Sequence, residues 1–196
     1  MTPANRPPFS GYIFDCDGTL AASMILHHGA WESSVRRQVG GNWAFPWDFF
    51  CTLGGMSTAD TVAVLEARYG FRIDIGKLLP DYHAYLAEHI RDVTPIPETC
   101  AVARRMAAAG ARLAVASGGF RKEVGEILET IGVADIFPVV VASEDVERCK
   151  PAPDLFLLAA ERLGVPASEC AVLEDSPKGF DAAAAAGMAW IPVFPR

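Results

Sequence analysis

Tyr12-Ile13-Phe14-Asp15-Cys16-Asp17-Gly18-Thr19-Leu20 is the stretch around which the rest of the sequence is arranged. Its apolar run is too short for a helix and ends abruptly in two acids and a glycine, which predicts a short buried strand followed by a turn. If this strand is central in an open α/β sheet, Asp15 stands at its carboxyl end, where such sheets bind ligands. Asp17 follows two residues later, and Gly18 allows the chain to turn.

Two carboxylates at a strand end have several chemical interpretations. Taken alone, the pair can be metal ligands, an acid/base pair or a nucleophile that forms a covalent intermediate. The structural alternative is a solvated turn that carries two acids, as many bare Asp-x-Asp-Gly patterns do. The apolar strand that precedes Asp15 weighs against this alternative.

The composition is that of a soluble globular protein. The chain has 196 residues, of which 51% are apolar and 21% charged, enough for one large domain or a domain with a sizeable insertion. Its net charge of −7 weighs against nucleic acid or an anionic membrane as a partner. A small anionic substrate is still possible, because a bound metal can reverse the field of a site.

The cysteines and the N-terminus indicate a compartment. The five cysteines are an odd number without Cys-x-x-Cys spacing, which predicts free thiols rather than disulfides or a zinc site. The first ten residues lack the apolar run of a signal peptide, and no apolar stretch is long enough for a membrane helix. We therefore expect a cytoplasmic protein without membrane contact, monomeric or weakly self-associating.

Residues 1–9 are predicted to be a loose tail. The rest of the chain shows two kinds of sequence pattern. Residues 22–91 show helical periodicity and no run that resembles a buried parallel strand. Helices are predicted there over 30–39, 59–69 and 78–90. The segment 92–97 then has linker chemistry, because its two prolines forbid a continuing helix. We therefore predict that 22–91 is a helical insertion in an α/β core formed by 1–21 and 92–196.

After the linker, strands and helices alternate regularly. Strands are predicted over 113–116, 139–141, 171–173 and 190–193. Helices are predicted over 98–109, 121–131 and 154–163, and a last helix begins at Pro177, with Ser176 as its N-cap, and stops at Gly187. Strands that alternate with helices of about 10–15 residues indicate a doubly wound parallel sheet.

Polar side chains follow the predicted strands and should meet at one edge of the sheet. They are Asp15 and Asp17 after the first strand, Ser117 after the second, Lys150 in the loop after the third, and Glu174 and Asp175 after the fourth. Carboxylates this close repel one another by about 1 to 4 kcal/mol per close pair, so they need a cation. A cluster of oxygen ligands without histidine or cysteine suits a hard ion, and Mg²⁺ better than Ca²⁺.

The remaining polar residues of this edge have two interpretations each. Lys150 and Ser117, on the opposite side of the acid cluster, are predicted to hold the oxygens of an anion that also touches the metal. Alternatively, Lys150 is an ordinary surface lysine and Ser117 caps the following helix. Cys16 alternates to the opposite face of the strand, so we predict a packed thiol rather than a nucleophile.

Four sequence blocks carry a resemblance to a known family. They are Asp15-Cys16-Asp17-Gly18-Thr19, Ser117-Gly118-Gly119, Lys150-Pro151-Ala152-Pro153-Asp154 and Glu174-Asp175-Ser176. In this order they resemble the four motifs of the haloacid dehalogenase superfamily of hydrolases, and the helical insertion is similar to the cap of its β-phosphoglucomutase-like branch. Each block alone is weak evidence for the family, but four blocks in this order at predicted strand ends are strong evidence. The resemblance covers essentially the whole chain and implies a Rossmann-like core with an inserted helical cap.

The resemblance also implies a function, that of a Mg²⁺-dependent phosphatase of a small phosphorylated metabolite. The expected metabolite is a sugar phosphate such as fructose 1-phosphate. Asp15 would attack phosphorus and form an aspartyl-phosphate. Asp17 would protonate the leaving alkoxide and then take a proton from water, while its backbone carbonyl joins the metal shell. A halide leaving group needs no general acid, so Asp17 weighs against dehalogenase chemistry.

The other residues of the four blocks receive roles by the same resemblance. Glu174 and Asp175 would complete the metal ligands that Asp15 and Asp17 begin. Ser117, Lys150 and the backbone amide of Gly118 would stabilise the charge of the transferring phosphoryl group.

The helical insertion is expected to contact the substrate. Ser23, His27 and Trp31 are spaced by four residues and share one helix face, so His27 can reach the substrate or the catalytic groups. The alternative is a half-exposed helix histidine. Gly54-Gly55-Met56-Ser57 resembles the substrate-contacting cap loop, which would make Gly55 and Ser57 binding residues; otherwise it is a turn between helices. The aromatic stretch 43–50 is predicted to be core rather than pocket.

One departure from the family pattern separates the possible functions. Mutases of this branch carry an arginine after the glycine-x-serine of the cap loop and a lysine later in the cap. Here Thr58 follows Ser57, and Pro80-Asp81-Tyr82-His83 contains no lysine. A phosphatase is therefore favoured over a phosphosugar mutase. A catalytically idle binding protein is a third hypothesis, and Asp17 weighs against it because binding alone needs no general acid.

Overall fold

A single parallel sheet forms the centre of the computed structural model, which describes residues 8–194. Its strands are β1 (Gly11–Phe14), β2 (Arg112–Ala116), β3 (Val139–Val141), β4 (Cys170–Glu174) and β5 (Ala189–Pro192). They follow the order β3-β2-β1-β4-β5, so β1 is central, as predicted. The predicted tail, residues 1–9, lies almost entirely outside the described residues.

Eight α-helices are present among the described residues. They are α1 (Met24–Val39), α2 (Trp47–Thr52), α3 (Thr58–Tyr69), α4 (Ile75–His89), α5 (Pro97–Ala108), α6 (Arg121–Thr130), α7 (Asp154–Leu163) and α8 (Pro177–Ala185). None of them is both long enough and apolar enough to cross a membrane. The alternation of β2 to β5 with α6 to α8 confirms the predicted α/β architecture.

The inner strands β1 and β4 bury both of their faces, as parallel strands covered by helices must, whereas the edge strand β5 is exposed. Successive side chains of a strand point to opposite faces, so Tyr12 and Phe14 join one hydrophobic cluster while Ile13 joins the other. The first cluster includes residues of α5 and α6, such as Val124, and the second includes residues of α7 and α8, such as Phe156. Helices on both faces make the sheet doubly wound.

The four helices α1 to α4 lie between β1 and β2 along the chain. Helix α1 begins at Met24, earlier than predicted, and the short helix α2 was not predicted at all. Their buried residues, such as Leu26 and Leu65, belong to the same hydrophobic cluster as Phe14 of the sheet. The division of the chain into a core and an inserted cap, 22–91, stays a prediction.

The connections at the ends of this helical segment agree with the sequence chemistry. Ala21 forms an isolated antiparallel bridge with Pro95, so the two connections run side by side where the segment leaves and rejoins the sheet. Pro97 occupies the first turn of α5, where its missing N–H costs no helical hydrogen bond.

All five cysteines are free thiols, as predicted.

Candidate active site

Three carboxylates meet at the carboxyl end of the sheet. Asp15 follows β1, and Glu174 and Asp175 stand at the end of the neighbouring strand β4, where Phe14 pairs with Leu173. Each of the three offers an oxygen within 4.8 Å of the others. Asp15 and Glu174 are buried and Asp175 is half-buried, so their convergence, as predicted, follows from strand adjacency.

Two glycines provide the space for this cluster. Gly18 has φ +90°, and a Cβ there would lie 2.2 Å from Oδ2 of Asp175. Gly179 in α8 faces Glu174, whose Cδ would lie 2.0 Å from an added Cβ. Both distances are far below van der Waals contact, so any side chain at either position would displace a carboxylate.

Lys150 lies within the acid cluster rather than opposite it, which corrects the predicted arrangement. Its Nζ is 2.6 Å from Oδ1 of Asp15 and 2.6 Å from Oε2 of Glu174. The lysine side chain is only 1% exposed, so the alternative of an ordinary surface lysine is wrong. A buried ammonium needs such partners, because removal from water strongly destabilises an unpaired charge.

The cluster carries more negative than positive charge, and this shifts its pKa values. Burial, followed by the charge of Glu174, raises the pKa of Asp15 well above its usual range, although Lys150 opposes the shift. Burial alone lowers the pKa of Lys150, but Asp15 and Glu174 outweigh it and the net shift is upward. Burial and then the charge of Glu174 raise the pKa of Asp175 to about 7. One lysine therefore does not neutralise the three acids.

These residues fit a hard divalent cation. The three acids supply oxygen ligands only, and Lys150 forms its ion pairs with Asp15 and Glu174 rather than with Asp175. Mg²⁺ prefers a few carboxylates completed by waters and substrate phosphate. The side chain of Asp17 is not part of this group of ligands, which agrees with the expectation that Asp17 would contact the metal through its backbone carbonyl only.

Asp17 is held by three hydrogen bonds on the other side of the strand end. Ser23 Oγ donates to its Oδ1 at 2.5 Å, His27 Nε2 lies 2.9 Å from the same oxygen, and Ser117 Oγ donates to its Oδ2 at 3.2 Å. Burial raises the pKa of Asp17, but the charge of His27 and these hydrogen bonds outweigh it and lower the pKa to about 2. Ser117 Oγ also accepts from the backbone N–H of Gly119 at 3.0 Å. Helix α6 has Phe120 as its N-cap and no side-chain cap, so the interpretation of Ser117 as a helix cap is wrong, and its contact with an anion stays a prediction.

His27 links the helical segment to this carboxylate. Its Nδ1 lies 2.6 Å from the hydroxyl of Tyr82, which α4 contributes. The histidine side chain is 12% exposed, so the half-exposed alternative is wrong. Burial lowers the pKa of His27, but Asp17 raises it by more. The spacing of Ser23 and His27 signalled this contact, whereas nothing in the sequence pointed to Tyr82.

The loop before α3 contacts the loops that follow the strands through its backbone. A Cβ at Gly118 would lie 3.3 Å from the carbonyl oxygen of Gly55, and one at Gly55 would lie 3.2 Å from Lys150 Cβ. Gly55 and Gly118 both line the cavity, as predicted. Ser57 does not line it. Its hydroxyl instead accepts from Asp60 N–H at 3.1 Å and caps α3, so no contact supports its predicted binding role.

One cavity of about 640 Å³ is lined by most of these groups, namely Asp15, Asp17, His27, Tyr82, Ser117, Lys150, Glu174 and Asp175. We call its wall of strand-end residues the sheet side and its wall from residues 22–91 the helical side. The helical side is mainly apolar and includes Trp31, Trp47 and Phe50. The aromatic stretch 43–50 was predicted to be core alone. Phe45 is buried, but Trp47 is 44% exposed and lines the cavity, so the prediction is wrong for Trp47.

Cys16, between the two aspartates, is fully buried. Burial, followed by the charge of Asp17, raises the pKa of its thiol well above the usual value. A thiol that resists ionisation is a poor nucleophile, so the predicted packing role of Cys16 is confirmed.

The chain is similar to known hydrolases over nearly all of its length. The sequence model of the haloacid dehalogenase-like hydrolase family matches residues 9–187. Fructose-1-phosphate phosphatase YqaB of Escherichia coli is 31% identical over 92% of this chain and 94% of its own length. Hexitol phosphatase A of the same organism is 29% identical over 90% of this chain and 79% of its own. The crystal structure of CbbY from Rhodobacter sphaeroides in complex with phosphate covers 95% of this chain and 87% of its own, with 26% identity and a TM-score of 0.83.

Proposed function

The chain belongs to the haloacid dehalogenase-like hydrolase family, and we propose that it is a Mg²⁺-dependent phosphatase that hydrolyses a small phosphorylated metabolite. The observation that carries the proposal is that Asp15 and Asp17 line one cavity in different surroundings. Asp15 lies among metal-binding carboxylates and a lysine, whereas Asp17 is bonded to serine and histidine side chains. Two carboxylates in different surroundings can act as nucleophile and as acid/base catalyst.

The first step is transfer of the phosphoryl group to Asp15. A carboxylate oxygen of Asp15 forms a bond to phosphorus while the bond from phosphorus to the leaving oxygen breaks. Asp17 supplies the proton that the leaving alkoxide needs. Lys150 Nζ, the Ser117 hydroxyl and the Gly118 amide are the proposed donors to the phosphoryl oxygens.

The second step is hydrolysis of the aspartyl-phosphate. Asp17, now a carboxylate, removes a proton from the attacking water, whose oxygen forms a bond to phosphorus while the bond from phosphorus to Asp15 breaks. Inorganic phosphate leaves, Asp15 is a carboxylate again, and Asp17 holds the proton that the next first step needs. A pKa of about 2 keeps Asp17 in this proton-accepting form. For the proton donation of the first step, the anionic ester must raise that pKa when it binds next to Asp17. The hydrogen bonds from Ser23 and His27 keep one Asp17 oxygen in a constant orientation through both steps.

The three-carboxylate cluster is the proposed metal site. Asp15, Glu174 and Asp175 would hold Mg²⁺, and the backbone carbonyl of Asp17 stays a predicted fourth protein ligand. When bound, the ion would offset the negative charge of the transferring phosphoryl group.

Hydrolysis is favoured over a mutase reaction by the lining of the cavity. Lys150 is the only lysine or arginine among the described residues that line it. A mutase needs cationic groups for the second phosphate of a bisphosphate, and the helical side provides none. The predicted class of substrate, a sugar phosphate, is supported by the names of the two phosphatases from Escherichia coli.

A phosphate-release screen over small phosphorylated metabolites tests the proposal. With Mg²⁺ we expect free phosphate, and with a chelator in its place we expect release to stop. Undiminished release without divalent metal would reject the metal assignment. An isomerised phosphate ester instead of free phosphate would indicate a mutase, and no turnover of any phosphate ester would indicate a binding protein.

A further inference from the structure

The helical side of the cavity exposes large apolar side chains. Ile25 is 73% exposed and Trp47 is 44% exposed, and both line the cavity. Because they are exposed, they stand at its mouth rather than in its interior. Met24, Leu53 and Leu79 extend the same apolar wall inward. Apolar groups left in water at the entrance of a binding cavity mark a surface that a ligand covers.

Few groups on this side can bind the hydroxyls of a polyol. Among described residues from 22–91, the cavity lining contains no lysine, arginine, aspartate, glutamate, asparagine or glutamine. His27 and Tyr82 lie 2.6 Å apart and satisfy each other. The other side chains that could hydrogen-bond there are Thr58, Thr61, Cys51 and the indole N–H groups of Trp31 and Trp47. Hydroxyls that lose water without gaining partners weaken binding.

We infer that the preferred substrate is the phosphate monoester of an alcohol that carries an aromatic ring, which packs against Trp47 and Ile25. This inference rests on the proposed phosphatase function, concerns only the leaving group, and puts an aromatic ester in place of the sugar phosphate that the names of the two phosphatases support. An aromatic ring gains apolar contact and an offset or edge-on contact with an indole, and it needs no hydrogen-bond partners. The substrate carries a single phosphate, since Lys150 is the only lysine or arginine among the described lining residues.

The test compares two esters in which the same kind of bond is broken. Both 2-phenylethyl phosphate and sorbitol 6-phosphate release a primary alkoxide, but only the first presents an aromatic face. Phosphate release by the Mg²⁺-loaded full chain gives kcat/KM for each. We expect a value about tenfold higher for 2-phenylethyl phosphate, a typical contribution of apolar contact to specificity.

Variants at the mouth of the cavity then test which side chains cause the preference for the aromatic ester. In Trp47→Ala, and separately in the more exposed Ile25→Gln, we expect the ratio of the two kcat/KM values to fall to about one. The loss should appear in KM for 2-phenylethyl phosphate rather than in kcat, because the contact is the same in ground and transition states. Trp190→Ala is the matched control, since Trp190 is also 44% exposed but stacks on Phe180 outside the cavity lining. It should leave the ratio at the wild-type value.

The outcomes separate this inference from the proposed function. Release from both esters without preference for the aromatic one overturns the inference alone. A wild-type ratio that persists in both mouth variants also overturns it, because the preference would then arise elsewhere. No release from either ester, or from any other phosphate ester of the screen, rejects the phosphatase function and the inference with it.

Discussion

The two sides of the cavity solve opposite physical problems. The sheet side buries Asp15, Glu174 and Lys150, groups whose removal from water is costly unless they are paired. The helical side does the reverse and leaves Ile25 and Trp47 in water. Each feature is unfavourable in the free protein and useful when a ligand is present. The difference teaches that reactive groups are held on the sheet, while substrate selection is expected from the helices.

The two sides meet at two places. His27 reaches from α1 to Asp17, and Gly55 approaches Lys150 through its backbone. At these points the helical segment takes part in the arrangement of the sheet side. Loss of the nucleophile on the sheet side should therefore have the largest effect, loss of the contact between His27 and Asp17 a smaller one, and changes outside the cavity lining the smallest.

The largest effect is expected for Asp15→Asn. An amide cannot form the acyl-phosphate bond, so we expect phosphate release to fall by at least about 10⁴-fold, as for other covalent nucleophiles. Initial rates at saturating substrate measure the loss. Asp181→Asn, at an exposed position of α8, is the control for the same chemical change. If Asp15→Asn keeps full activity, Asp15 is not the nucleophile.

The next largest effect is expected for His27→Phe, which removes the link between the sides. A phenyl ring retains most of the bulk but loses the hydrogen bonds to Asp17 and Tyr82, so kcat should fall by about 10²-fold, within the range of acid/base contributions. Tyr82→Phe removes only the hydrogen bond between Tyr82 and His27, so kcat should fall only about fivefold. Equal losses in the two variants would contradict a direct role of His27 in orienting Asp17.

A smaller effect is expected for Gly179→Ala, a change outside the cavity lining that places a methyl group against Glu174. Its Cβ would overlap Glu174, a buried residue that cannot move freely, so we expect a loss of about 2 kcal/mol in the free energy of unfolding. Displacement of this carboxylate should also weaken Mg²⁺ binding about tenfold, which calorimetric titration measures. Gly125→Ala in α6 is the matched control, because no atom beyond its chain neighbours and the backbone of its own helix lies within 4 Å of its added Cβ. It should stabilise the chain by about 0.5–1 kcal/mol.

The smallest effect is expected for Asp145, a carboxylate that stands outside the cavity lining. Its Oδ1 accepts from Arg162 at 3.1 Å and its Oδ2 from Ala142 N–H at 2.8 Å, with Arg121 alongside. Burial raises the pKa of Asp145, but these partners lower it to about 2. Because the folded value lies below the unfolded value of 3.8, the stabilisation is present above about pH 4 and is lost as pH falls through about 2.

Asp145→Asn should therefore remove no more than about 1 kcal/mol of the free energy of unfolding at pH 7, since the group is close to the surface. Denaturant titrations at several pH values between 2 and 7 measure the difference, which should vanish at the acidic end of that range. Activity at pH 7 should stay within about twofold of the wild type. A large loss of activity in this variant would show that catalysis depends on residues outside the cavity lining.

Predictions from the sequence succeeded where chain connectivity decides the outcome. Asp15 and Glu174 follow apolar runs that can only be buried strands, and the ends of parallel strands necessarily share an edge. The prediction placed Lys150 on the wrong side of the acids, because it stands in a loop whose path no periodicity describes. Ser57 was expected to bind substrate, but its position before α3 lets it cap that helix instead.

The helical segment was harder to predict, for a related reason. The pattern of α1 placed His27 on a face with Ser23, so its contact with Asp17 was within reach of sequence reasoning. Tyr82 stands 55 residues further along the chain, and only the packing of α4 against α1 brings it to His27. Trp47 resembles its buried aromatic neighbours in sequence, and exposure is decided by the turn of a short helix.

The sequence by itself determined the parallel α/β fold, the order of the four motifs and the carboxylates at the strand ends, because hydrophobic periodicity and strand direction are local properties of the chain. The tertiary structure alone decided that Lys150 bridges Asp15 and Glu174, that Tyr82 supports His27, and that Trp47 opens onto the cavity. These contacts join residues far apart in sequence. Their geometry depends on how helices and loops pack over the sheet, which no local pattern contains.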